Sequence, residues 1–155
     1  LTAGAVVGVS TIATLPKRSV AETSKIFSPH EAETLVSVCR GTYPQDKLGS
    51  APYVFCVEGL EKKAAEDESL KKRLSDGVVE LDALSGGRFL DLDENRQAKI
   101  LEGLASSEFF QAIRAFMVVA LYNNKKIWPT FGYEGASFPY GGYIDRGFDD
   151  IDWLS

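Results

Sequence analysis

From Ser28 onward, apolar positions recur at three- and four-residue spacing, and the residues between these runs mark off five helices. Ser28-Pro29-His30-Glu31 is a start signal, with a serine cap, proline at the first helical position and glutamate three residues after the cap. Ala32, Leu35, Val36 and Cys39 form the inward stripe that follows, and Gly41 and Pro44 end it. A second helix is expected after Ala51-Pro52, carrying Val54, Phe55, Val57 and Leu60 ahead of the charged Glu61, Lys62 and Lys63. A third runs from Glu68 to Leu84 through Leu70, Leu74, Val78 and Leu81, and stops at Gly86-Gly87. Asp91 or Asp93 caps a fourth, with Ile100, Leu101 and Leu104 on its inner side. Ser106-Ser107-Glu108 leads into the fifth, Phe109 to Tyr122, which is apolar on nearly every side and is therefore predicted to run through the centre. Its one charge, Arg114, is read as reaching the surface or pairing with a carboxylate at the core edge. The fold class is all-α, a compact bundle of about five helices over residues 22–124.

The two ends break this pattern. Leu1 to Leu15 carries no charge, and Ser19-Val20-Ala21 supplies the small residues of an export cleavage site. Residues 1–21 therefore read as a signal-like apolar segment, cleaved after Ala21 or retained. As a helix, its uncharged run would reach about 22 Å, short of the ~30 Å hydrocarbon core of a bilayer. Its Gly, Ala, Ser and Thr content suits a twin-arginine export signal better than a leucine-rich one, although the arginine pair is not in this sequence.

The opposite end, residues 125–155, has neither helical nor strand periodicity and reads as an extended, turn-rich strap. Glycines 132, 135, 141, 142 and 147 permit turns, and Pro129 and Pro139 restrict them. Nine of the 17 aromatic residues lie between Tyr122 and Trp153, too many for an irregular segment to cover by itself. Trp, Tyr and Arg anchor protein interfaces more often than other residues. Trp128, Phe131, Tyr133, Tyr140, Tyr143, Arg146, Phe148 and Trp153 are accordingly the expected partner interface.

Composition narrows the chemistry. A length of 155 residues, 45% hydrophobic, fits one domain. A net charge of −5 argues against a surface that tracks phosphate backbones, so nucleic acid is not an expected partner. One histidine and two cysteines exclude four-ligand zinc sites of the usual Cys/His types and the Cys-x-x-Cys-His attachment of haem. No dinucleotide or phosphate glycine loop and no Gly-x-Ser-x-Gly elbow is present. His30 stands at a helix start, where a surface role is the ordinary one, and Asp149, Asp150 and Asp152 are tail neighbours that lack the separated environments acid and base roles need. No catalytic residue, metal ligand or cofactor-binding residue is assigned. Cys39 and Cys56, placed late in the first helix and early in the second, are expected to form a disulfide in an exported protein; the alternative is two buried small hydrophobes.

Tyr122-Asn-Asn124, then Trp128-Pro-Thr-Phe-Gly-Tyr-Glu-Gly135, then Gly141-Gly-Tyr-Ile-Asp-Arg-Gly-Phe-Asp-Asp-Ile-Asp-Trp-Leu154 together resemble the gluconate 2-dehydrogenase subunit 3 family. These are small, or gamma, subunits of membrane-associated flavoprotein dehydrogenases. The resemblance covers most of the chain, and the strap is its specific part. It implies a large partner of the glucose-methanol-choline oxidoreductase type that binds FAD, and commonly a c-type cytochrome carrying haem. It also implies a periplasmic location, membrane association through the complex, and a chaperone-like role in exporting the folded partner. The expectation is a noncatalytic accessory subunit. Two other roles remain open, a direct part in electron transfer or cofactor holding, and a standalone periplasmic enzyme.

Overall fold

The computed structural model describes residues 24–144, and among these the chain forms five α-helices and three short 3₁₀ turns. The helices are α1 (Pro29–Thr42), α2 (Ala51–Glu66), α3 (Glu68–Ser85), α4 (Glu94–Gly103) and α5 (Glu108–Tyr122). The all-α bundle expected from periodicity is therefore what the chain forms. The signal-like residues 1–21 lie outside the described residues.

The starts are set by local chemistry. At α1 the full capping box forms: Ser28 Oγ accepts from the Glu31 N–H, and Glu31 Oε2 accepts from the Ser28 N–H at 2.8 Å. Asp67 ends α2 in an extended conformation and at once caps α3, its Oδ1 accepting from the Leu70 N–H at 3.0 Å. Gly86, at φ 68°, stops α3 in the left-handed region that favours glycine. Asp93, rather than Asp91, caps α4; Asp91 closes the 3₁₀ turn Phe89–Asp91, which drops the Phe89 ring into the core. Ser107 caps α5. The start of α2 differs, since Ser50 makes no side-chain capping bond and the first turn holds no acid.

The core combines Leu35, Val38 and Cys39 of α1, Tyr53, Cys56, Val57 and Leu60 of α2, Leu74, Val78 and Leu81 of α3, Leu101 of α4, and the stripe Phe109, Ile113, Met117 and Leu121 of α5. Fully burying one such side chain contributes roughly 1.5–3 kcal/mol before the entropy of ordering is set against it. Tyr53 is admitted because its hydroxyl donates to the Tyr43 carbonyl at 2.9 Å. Before α1, Glu61 Oε1 accepts from Ser24 Oγ and from the Lys25 and Ile26 N–H groups, fixing the incoming chain against α2.

The centre is not where hydrophobicity alone placed it. α1 and α3 each pack against all four other helices, whereas α5 packs against α1, α2 and α3. Only one stripe of α5 is buried, and Val118, Val119 and Tyr122 on its far side are exposed. In α2 the inward face likewise begins at Tyr53 and leaves Phe55 53% exposed. Apolar content alone does not show which side of a helix the core covers.

Candidate partner interface

The strap is rooted by two residues that follow α5. Ile127 is buried against the bundle. Trp128 is half-buried, and its Nε1–H donates to the Tyr122 carbonyl at 2.8 Å, satisfying part of the exposed end of α5. Tyr133 meets the indole edge-on at 5.0 Å between ring centroids, and Lys125 Nζ lies 5.8 Å from it. Trp128 thus serves first as an internal anchor. Gly135, at φ 102°, lets the backbone pass over this ring, where a Cβ would sit 3.2 Å from Cζ3.

Tyr122 joins the helix face to the strap. Its ring packs edge-on against Tyr43 at 5.7 Å and tilted against Phe131 at 6.3 Å, and its hydroxyl accepts from Gln45 Nε2. Beyond this root the strap is not extended throughout, as it folds into 3₁₀ turns at Trp128–Phe131 and Phe138–Tyr140, each closed by a positive-φ glycine, Gly132 or Gly141. Phe131, Tyr133, Tyr140 and Tyr143 are exposed. Arg146, Phe148 and Trp153 lie outside the described residues.

Several exposed residues were absent from the sequence-derived interface. Phe138 is 91% exposed and Ile144 is also open, both within the strap. The strap's aromatic density was the available signal for Phe138. Val119, 63% exposed, and Val118 add the outer face of α5.

A polar cluster joins α1 to the end of α3. His30 Nε2 lies 2.6 Å from Asp82 Oδ2, while a guanidinium nitrogen of Arg88 lies 3.2 Å from His30 Nδ1. Arginine can only donate, so in this contact Nδ1 accepts and the Nε2 proton goes to Asp82. Asp82 Oδ1 also accepts from the Phe89 N–H at 2.8 Å. Burial alone would raise the Asp82 pKa, but the Phe89 N–H, His30 and Arg88 outweigh it and hold the carboxyl below its ordinary value. This cluster ties α1 to the end of α3 and the 3₁₀ turn after it. His30 is therefore more than the surface residue its position at a helix start suggested, because its partners lie 52 and 58 residues away.

The expected Cys39–Cys56 disulfide is absent from the structure, where both residues are buried free thiols. Burial is the leading cause that raises both thiol pKa values, Cys56 to about 11 and Cys39 further, with the neighbouring Cys56 adding to the shift at Cys39. Protonated thiols are poor nucleophiles for disulfide formation, and the two side chains fill the core as small hydrophobes. Among the described residues, no group of three or more His, Cys, Asp or Glu side chains is placed to hold a metal. No single described helix is long and apolar enough to cross a membrane; α4 and α5 meet the length and hydropathy requirement only together, across a 110° bend.

Comparison of the chain with models of protein families, with curated proteins and with solved structures finds no match.

Proposed function

We propose that this chain is the noncatalytic small subunit of a periplasmic, FAD-dependent dehydrogenase of the glucose-methanol-choline type, within a membrane-associated complex that includes a c-type cytochrome. In this reading it stabilises the large subunit and accompanies it through export, and the redox cofactors belong to its partners. The observation that carries the reading is the exposed aromatic strap, from Phe131 to Ile144, on a body whose core is closed without it. The family resemblance of that strap supplies the identity of the partner. The outer face of α5 is compatible with the same reading, since Val118 and Val119 are exposed apolar side chains.

Large, rigid aromatic side chains give an interface contact area at low cost in conformational entropy, and a few of them dominate its energy. Phe138→Asp is therefore expected to remove most of the partner while leaving the bundle intact, because nothing in the core depends on that ring. The test is to purify the tagged chain from its native cells and measure flavin recovered per chain. Equal flavin for wild type and Phe138→Asp would count against the strap as the contact.

A further inference from the structure

A groove of about 430 Å³ lies between the start of α2 and the segment that follows α5. Leu48, Pro52, Phe55 and Ile127 form its apolar lining, and Lys47 and Lys126 stand at its rim. On a chain of net charge −5, this groove pairs two lysines with no carboxylate among the residues that line it. Asp46 turns instead to a separate cleft with Arg40 and Glu94. Neither Lys47 nor Lys126 is ion-paired among the described residues. The acid-free first turn of α2 leaves the positive end of that helix dipole uncompensated by its own side chains at the same edge.

The groove is continuous with the strap. Ile127 and Thr130 form part of its wall, and Trp128 and Phe131 lie in the same 3₁₀ turn as Thr130. An aromatic side chain half open to solvent, flanked by two unpaired ammonium groups, is complementary to an apolar segment bordered by carboxylates. Such charges at an interface rim guide encounter and fix register, while the apolar centre supplies affinity.

We infer that this groove receives an apolar segment of the large flavoprotein subunit flanked by Asp or Glu side chains, extending the strap interface onto the start of α2. The inference rests on the small-subunit reading above. Phe55, Lys47 and Lys126 are all exposed, so their substitution leaves the bundle's core unaltered.

The experiment is to purify the tagged chain with its FAD-containing partner from native cells, as wild type, Phe55→Asp, and the double variant Lys47→Glu with Lys126→Glu. Flavin retained per chain after washing is the readout, and circular dichroism verifies helicity. Both variants are expected to retain about tenfold less flavin than wild type, and Lys47→Gln with Lys126→Gln an intermediate amount. Retention by the charge-reversed and Phe55 variants within about twofold of wild type overturns the assignment and leaves the small-subunit reading standing. Carbodiimide cross-links from Lys47 and Lys126 that run only to this chain's own carboxylates, or to a second copy, overturn it as well. A wild-type chain that carries no flavoprotein overturns the small-subunit reading and this inference together.

Discussion

The ring of Phe109, in the first turn of α5, lies directly over Gly77 in the middle of α3, where a Cβ would overlap the ring atoms. That missing side chain lets α5 settle onto α3 with Phe109 buried. Gly77→Ala should therefore destabilise the fold by about 1–3 kcal/mol through overpacking, more than the ~1 kcal/mol that alanine gains in helix propensity. Chemical denaturation of the two proteins measures the difference. An alanine variant as stable as wild type, or more so, would mean that α5 does not sit at this depth.

Acid should weaken the α1–α3 connection in a defined window. Because the Asp82 carboxyl is held below its ordinary value in the folded chain, it contributes stability at pH above about 4, and that contribution is lost as pH falls through the lowered folded value. Asp82→Asn should cost about 1–3 kcal/mol at pH 7, in line with losing hydrogen bonds to an ionised group, and should flatten the decline of stability between about pH 5 and 3. Urea midpoints of both proteins across this range test the sign. A constant difference between them at every pH would assign the loss to packing rather than to the charge.

Thr34 offers a change in the opposite direction. Its side chain is fully buried in α1, and its Oγ1 has no hydrogen-bond partner among the described residues. Thr34→Val keeps the shape and removes an unsatisfied polar atom, so a gain of about 1 kcal/mol is expected. A thermal melt that shifts downward would show that the hydroxyl has a partner.

The cysteine thiols should be free and shielded. Alkylation of the native protein is expected to modify neither Cys39 nor Cys56, and alkylation after unfolding without reductant is expected to modify both. Intact mass distinguishes these states. Two unmodified cysteines after unfolding would reveal the disulfide that their positions in the sequence suggested.

The helical architecture was legible because its signals are local. The Ser28 cap, the Gly86 stop and the stripe through Leu74, Val78 and Leu81 each lie within a few residues of what they determine. The arrangement of the helices was less legible. Phe109 to Tyr122 is so apolar that periodicity could not separate a face packed on this chain's core from one left exposed, and Gly77, which positions that helix, lies 32 residues before Phe109. The His30–Asp82 contact escaped for the same reason, since its two halves belong to different helices. In the strap, aromatic density marked a segment whose rings Phe131, Tyr133, Phe138, Tyr140 and Tyr143 are exposed. It did not distinguish Trp128, which anchors the strap to the bundle, from Phe138, which points away from it.

In the proposed reading, this chain sustains a large flavoprotein partner that holds the FAD. The most direct measurement is to express the large FAD-dependent subunit with and without this chain and compare soluble periplasmic yield and FAD bound per large subunit. Both are expected to fall sharply when the chain is omitted, and Phe138→Asp is expected to reproduce much of the loss. Equal yield and equal FAD content in the presence and absence of the chain would contradict it.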